Sequence, residues 1–129
     1  MQAGTAEHKF LNTAQVSKLL NLTERQIQYW DESGLINPTN LNRERRFSPE
    51  LVRRMTVFCA LREKKMPLRQ VRILDRKIFA ALKPVPTTEE TYLITDGAQV
   101  TCTSHGMTAF LHAVQVKRAV WVVYVRAAE

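Results

Sequence analysis

The first regular pattern of apolar residues along the chain is helical. Val16, Leu19 and Leu20 recur at the i, i+3, i+4 spacing that places side chains on one face of a helix. Thr13 precedes them and carries a hydroxyl of the kind that caps helix N-termini. The pattern therefore predicts a first helix that starts at Thr13 and buries one face.

A second helix is predicted after a short turn. Thr23 and Gln26 stand at capping-box spacing, in which two side chains satisfy exposed backbone donors reciprocally. Gly34 suits the left-handed residue that follows many helices. Ile27 and Trp30 share a face and can pack on the first helix, so the polar side chains point elsewhere. Two short helices joined by a tight turn are typical of a helix-turn-helix.

The middle of the chain predicts a polar hairpin and two more helices. Residues 36–46, INPTNLNRERR, are turn-rich and carry three arginines, which favours a hairpin or wing. Ser48 followed by Pro49 predicts the start of a third helix. Pro67 marks the start of a fourth, and the two prolines within residues 83–86 end it.

The period of the pattern changes in the last forty or so residues. Residues 91–95 and 98–103 read as strands joined by an Asp-Gly hairpin turn. A short helix is expected over residues 104–115, and the apolar run at 119–125 predicts a strand buried on both faces. Together these elements predict a ββαβ unit.

The expected fold class is α+β, with a mainly α winged helix-turn-helix domain followed by a small ββαβ appendage. Residues 1–83 form the predicted DNA-binding domain. Residues 84–91 form a linker, because two prolines and a polar run disfavour both helix and central strand. Residues 92–129 form an appendage for dimerisation or for binding an effector.

The net charge of +7 is distributed unevenly. Residues 1–83 hold 16 Lys or Arg and 8 Asp or Glu, which gives +8, whereas residues 84–129 hold 3 and 4, which gives −1. Lys and Arg side chains that neutralise phosphates release counterions and supply most non-specific affinity for nucleic acid. The first part of the chain is therefore expected to meet a polyanion.

Several function classes are not supported by the residues. No apolar run approaches membrane-spanning length and the first residues are polar, so we expect a cytoplasmic protein. Cys59 and Cys102 are interpreted as packed, reduced thiols, and His105 and His112 lack neighbouring ligands at metal-binding spacing. We expect no metal, no cofactor and no enzymatic activity, since no arrangement of nucleophile and base is evident.

Three segments in order resemble the DNA-binding domain of the MerR family of transcription regulators. They are TAQVSKLLNLTERQIQYWDESGLINP, RERRFSPELVRR and LREKKMPLRQV. The most specific parts are the segment from Thr23 through Tyr29 into Gly34, the Arg45 to Ser48 end of the wing, and Pro67. The resemblance covers about half of the chain.

The resemblance implies that the helix beginning at Thr23 enters the major groove of DNA and that the wing at Arg43–Phe47 contacts the DNA backbone beside it. It also implies that dimers bind pseudo-palindromes. Gln28 stands where the family usually has an arginine, and Arg43-Glu44 replaces a glycine-containing turn. The family's long coiled-coil dimerisation helix is missing, because Pro84 arrives almost at once. Metal-sensing cysteines belong to that helix and beyond, so no metal sensing is expected.

The predicted DNA contacts lie in the first two helices and in the wing. Arg25 is expected to reach base edges or phosphates, and the Tyr29 hydroxyl a phosphate. Gln26 could serve as a base contact or remain tied in the capping box. Arg53, Arg54, Lys64 and Lys65 either extend the phosphate footprint or form a solvated surface. The predicted set is Thr13, Thr23, Arg25, Gln26, Gln28, Tyr29, Arg43, Arg45 and Arg46.

The expected function is that of a transcription regulator that binds double-stranded DNA at a pseudo-palindromic operator as a homodimer, joined through the appendage. The apolar strand at 119–125 would leave a sheet edge that invites a second chain. Two alternatives remain: an excisionase-like architectural protein, and an antitoxin-like autoregulator whose appendage binds a protein partner. An unknown effector at the appendage is also possible.

Overall fold

The computed structural model describes residues 10–87, 89–103 and 121–125. The chain divides into two compact units, Met1–Met55 and Thr56–Glu129, and each is described by itself. The described residues combine helices with two small antiparallel sheets, which confirms the α+β fold class. In this part of the chain, no helix is both long and apolar enough to cross a membrane.

The first unit contains the helix-turn-helix and the wing. Its elements are α1 (Thr13–Leu20), α2 (Glu24–Glu32), β1 (Thr39–Leu41), β2 (Glu44–Arg46) and the beginning of α3 (Pro49–Glu63).

The start of α1 differs from the sequence prediction by one residue. Asn12 is the N-cap, and its side-chain oxygen accepts a hydrogen bond from the Gln15 backbone N–H at 2.8 Å. Gln15 Oε1 accepts in return from the Asn12 N–H at 2.9 Å. Thr13 was predicted as the cap and is instead the first helical residue, because asparagine caps at least as well as threonine and stands one position earlier. Asn21, with φ 57°, ends α1.

Helices α1 and α2 share a small apolar core. Val16 and Ile27 are fully buried and Trp30 is 7% exposed, as the i, i+3 spacing predicted. Leu19 is the exception, since it is 61% exposed. An eight-residue helix buries only a narrow stripe, which Val16 occupies, and Leu19 lies beyond its edge.

The predicted hairpin is present. Strands β1 and β2 are antiparallel, with Thr39 opposite Arg46 and Leu41 opposite Glu44. The connecting residues Asn42 and Arg43 both have positive φ, 53° and 67°. Two successive left-handed residues match the twist of a tight hairpin, which explains how the wing turns without glycine. The base of the wing is fixed by Phe47, whose N–H and carbonyl both hydrogen-bond to the backbone of Leu11.

The two later helices start where the sequence predicted. Ser48 Oγ accepts a hydrogen bond from the Leu51 N–H at 3.2 Å, and Pro49 is the first residue of α3. The next helix, α4 (Leu68–Leu82), follows Pro67. Its buried face consists of Val71, Leu74, Ile78 and Leu82.

The second unit contains a three-stranded antiparallel sheet packed with α4. Its strands are β3 (Thr91–Thr95), β4 (Val100–Thr103) and β5 (Trp121–Val125), in the order β4-β3-β5. Cys102 and Val123 flank Leu93 on either side. The strands confirm the predicted strand segments, while the helix predicted over residues 104–115 lies outside the described residues.

Side chains of the helical part hold the sheet in place. Gln70 Nε2 donates to the Gly97 carbonyl at 2.6 Å, and Lys77 Nζ donates to the Ala98 carbonyl. Trp121 Nε1 donates to the Lys64 carbonyl, in the turn between α3 and α4, at 3.3 Å. The β3–β4 loop and the start of β5 are thus fastened to the residues that precede and form α4.

The burial of β5 corrects one expectation. Val123 and Val125 are buried, but Tyr124 is 46% exposed. The strand was predicted to be buried on both faces because it is continuously apolar. It belongs to an antiparallel sheet, and such a sheet can bury one face while the other stays open to solvent.

Candidate nucleic-acid interface

The second helix presents a polar face opposite its core contacts. Arg25, Gln28 and Tyr29 stand at i, i+3 and i+4 and are all exposed, whereas Ile27 and Trp30 are buried. Tyr29 is 55% exposed although it is aromatic. The sequence prediction that Trp30 packs inward and Tyr29 points outward is confirmed. This face can approach a groove without disturbing the core.

The first turn of α2 is fixed by its capping box. The Gln26 N–H donates to Thr23 Oγ1 at 3.0 Å, and the Thr23 N–H donates to Gln26 Oε1 at 2.8 Å. The predicted box is confirmed, so the acceptor oxygens of both side chains already have partners. Arg25 stands in this first turn, and its side chain is exposed.

Gln28 is aligned along the helix by a neighbour on the same face. Its Nε2 donates to Glu32 Oε2 at 2.8 Å. Both residues are exposed. The amide is therefore oriented before any ligand arrives, with its donor group toward the C-terminal end of α2.

An ion pair joins the wing to the end of α2. Arg45 Nε lies 2.6 Å from Asp31 Oδ2, and both side chains are partly buried. Asp31 follows Trp30 and stands three residues after Gln28, so it lies on the flank of the polar face. This pair connects β2 of the wing to the C-terminal part of α2. The ion pair thus anchors the wing, through Arg45, to Asp31 of α2.

The other two wing arginines differ in their surroundings. Arg43 is exposed at the tip of the hairpin, in the left-handed conformation described above. Arg46, at the other end of β2, is half-buried, and its guanidinium lies 3.6 Å from Glu44 Oε2. The Arg46 Nε is buried and has no hydrogen-bond partner among the described residues. Of the three, Arg43 is the most accessible to a partner.

The charge of the interface comes mainly from outside α2. That helix holds Glu24, Asp31 and Glu32 against a single arginine. In the second turn of α3, by contrast, the chain adds Arg53 and Arg54, of which Arg53 is buried and Arg54 half-buried. A purely solvated surface, one of the two interpretations of these residues, does not fit the burial of Arg53.

The nine predicted contact residues all belong to the first unit. Thr23, Arg25, Gln26, Gln28 and Tyr29 lie on or just before α2, and the three arginines lie in the wing, where Arg45 contacts Asp31 of α2. Thr13 stands apart at the start of α1 and is half-buried. Its contact with DNA, like those of the other eight, stays a prediction.

Sequence reasoning missed Asp31. Its partner Arg45 lies fourteen residues away, so no local spacing signals the pair. The one available hint was an acidic residue beside the buried Trp30 in a basic domain.

The two cysteines both belong to the second unit. Burial, and then the negative charge of Glu63, raises the pKa of Cys59 to about 11, so its thiol is protonated at neutral pH. Neither Cys59 nor Cys102 forms a disulfide with another described residue, and both are half-buried. Within the described ranges, no three His, Cys, Asp or Glu residues cluster so as to hold a metal ion.

Comparison with known proteins agrees with this geometry. The family model for the MerR HTH family regulatory protein matches residues 11–77, or 67 of the 129 residues. The match includes both helices of the helix-turn-helix, the wing, α3 and most of α4. No curated protein matches the chain. Because the family model covers more than half of the sequence, the chain belongs to the MerR family of helix-turn-helix regulatory proteins, which regulate transcription by binding DNA.

Proposed function

We propose that the first unit binds duplex DNA with α2 in the major groove and the wing on the adjacent phosphate backbone. The observation that supports this proposal is the ion pair between Arg45 and Asp31, which joins the wing to the C-terminal part of α2. A helix face next to a basic hairpin can contact base edges and the flanking backbone together.

Each exposed side chain has a role suited to its chemistry. Arg25, in the first turn of α2, reads a guanine edge or clamps a flanking phosphate. Gln28 contributes its amide to base contacts, and the Tyr29 hydroxyl donates to a phosphate oxygen. Arg43 neutralises a phosphate from the tip of the wing. Arg45 and Thr23 position these groups rather than reading sequence themselves.

We further propose that two copies bind a pseudo-palindromic operator. A single module of this size buries little DNA surface, and linking two half-sites raises affinity without new contacts. Family members are DNA-binding regulators rather than enzymes, and we assign the same role here. Such a regulator acts where the operator is, so the cytoplasm is its proposed compartment.

The test begins with selection of bound duplexes from a random pool, using the full chain. Affinity for the selected duplex is then measured at several salt concentrations for Arg25→Ala and Arg43→Ala, with Arg76→Ala, exposed on α4, as the control. We expect Arg43→Ala to reduce the slope of log affinity against log salt by about 0.9, the value for one lost phosphate contact. Arg25→Ala should weaken binding by about 1 to 3 kcal/mol and relax the preference at one base position.

Unchanged affinity and salt slope in both variants would show that this face does not meet DNA. The excisionase-like alternative shares the same contacts and is recognised by strong bending of the selected duplex. The antitoxin-like alternative is recognised by a second polypeptide that co-purifies with the chain.

A further inference from the structure

The sheet of the second unit has an edge strand of unusual composition. Strand β5 lies at one side of the order β4-β3-β5, and among the described residues it pairs with β3 alone. Its five residues, Trp121–Val125, include no charged residue and no proline. Proteins usually place charged residues, proline or bulges in edge strands, and these prevent a further strand from pairing there. Strand β5 carries none of those residues; β4, the other edge strand, also lacks them, but its residues Val100–Thr103 are smaller and more polar.

The charge distribution favours a second copy of the chain as the partner. Residues 1–83 carry +8, so two copies meeting there would repel each other, whereas residues 84–129 carry −1. A contact through β5 therefore joins two regions of low net charge, so little electrostatic repulsion opposes it.

We propose that β5 pairs antiparallel with β5 of a second copy, so that two three-stranded sheets form one continuous six-stranded sheet. This inference rests on the dimer proposed above and names its interface. Antiparallel pairing of a strand with its own copy creates a two-fold axis, which is the symmetry of a pseudo-palindromic operator. Full overlap of the five residues places Val123 at the axis and Val122 opposite Tyr124 of the other copy.

The side chains on the exposed face of this edge are already ordered. Tyr124 lies opposite Tyr92 on β3, with ring centroids 5.1 Å apart. The Tyr124 hydroxyl also donates to Glu90 Oε2 at 2.6 Å. In the dimer, Val122 of the other copy extends this cross-strand row. Because Tyr124 is held before association, little side-chain freedom is lost when the strands pair.

The first test is sedimentation of the full chain over a range of concentrations. Tyr124→Lys places a charge on the face of the proposed junction, while Thr101→Lys places the same charge on β4, at the opposite edge and also exposed. We expect the parent and Thr101→Lys to dimerise alike, and the dissociation constant of Tyr124→Lys to rise at least about tenfold. Circular dichroism and thermal unfolding check that each variant folds.

A monomeric parent chain at every concentration would overturn the proposal. So would a dimer weakened by Thr101→Lys and not by Tyr124→Lys, since the contact would then lie at β4.

Cross-linking provides a second measurement that does not depend on weakening the dimer. In a chain whose Cys59 and Cys102 are replaced by serine, Val122→Cys and Tyr124→Cys chains are mixed and oxidised. The proposed pairing predicts a disulfide between the two kinds of chain, and mixing Val122→Cys with Thr101→Cys should give none. Equal cross-linking in both mixtures would contradict the register.

Binding to a duplex that carries one half-site separates this inference from the proposed function. If Tyr124→Lys is monomeric and binds a single half-site like the parent, both proposals stand. If the parent dimerises through β5 but the selection enriches no duplex, only the function fails.

Discussion

Arg43 occupies a backbone conformation that favours glycine. Its φ of 67° is a left-handed conformation that costs a residue with a side chain about 1 to 2 kcal/mol relative to glycine. We therefore expect Arg43→Gly to raise the free energy of unfolding by up to about 1 kcal/mol while weakening DNA binding. Urea unfolding and a DNA titration measure the two effects.

Asn42→Gly is the matched control for that variant. Asn42 has a similar φ of 53° and no charge. Replacing it should leave the affinity for DNA unchanged and alter stability only slightly, because asparagine tolerates this conformation well. Equal loss of DNA binding in both variants would mean that hairpin geometry, not the Arg43 charge, matters.

Cys59 supports a prediction about alkaline pH. Burial raises its pKa from 9.0 to about 11, so the unfolded chain ionises this thiol at lower pH than the folded chain. The free energy of unfolding should fall as the pH rises from about 9 to about 11, and Cys59→Ala should remove that part of the decline. Chemical unfolding at a series of pH values, in parent and variant, measures it.

The burial or exposure of a side chain was predictable wherever the helical period determines it. The inward Trp30 followed from helical spacing, and the outward Tyr29 from that spacing together with the family resemblance. Leu19 was misplaced because a short helix buries fewer positions than its apolar pattern suggests, and the partnership of Asp31 with Arg45 depends on how the wing folds back.

At the scale of elements, the capping box of α2 determines how that helix begins. Thr23→Ala removes the acceptor for the Gln26 N–H and should lower the free energy of unfolding by about 1 kcal/mol. Thr23→Ser keeps the hydroxyl and should retain most of that stability. Denaturant unfolding of both variants checks this, and equal losses would show that the Thr23 methyl group, not the cap, is responsible.

The contact between α2 and the wing supports a double-mutant cycle. We expect a coupling of about 0.5 to 1 kcal/mol in the free energy of unfolding between Asp31→Asn and Arg45→Ala, since the pair is only partly buried. Asp31→Asn should also weaken DNA binding although it removes a negative charge, because the wing loses its anchor. If Asp31→Asn binds DNA more tightly, Arg45 contributes more to DNA binding when it is not held in the ion pair.

Most elements could be located from the sequence because their ends carry chemical signals. Thr23, Ser48 and Pro67 each mark a helix start that the structure confirms. The start of α1 was displaced because Asn12 and Thr13 are both competent caps. The order of the three strands could not be read from spacing, since strand pairing between distant segments is set by packing.

At the scale of the whole molecule, the sequence-based boundaries stay a prediction. They separate residues 1–83 from residues 92–129, yet in the structure α4 forms hydrogen bonds with the β3–β4 loop. We expect a chain that ends at Lys83 to unfold at a lower temperature than the full chain, because α4 loses the sheet. Equal melting temperatures would support the sequence boundaries.

The two tryptophans give each compact unit its own optical reporter. Trp30 is buried in the helix-turn-helix, and Trp121 donates its indole N–H to the Lys64 carbonyl in the second unit. The chain has no other tryptophan. Fluorescence of the Trp30→Phe and Trp121→Phe chains therefore follows one unit at a time. If the two unfolding transitions coincide, the two units unfold in one cooperative event, and if they separate, the units unfold independently.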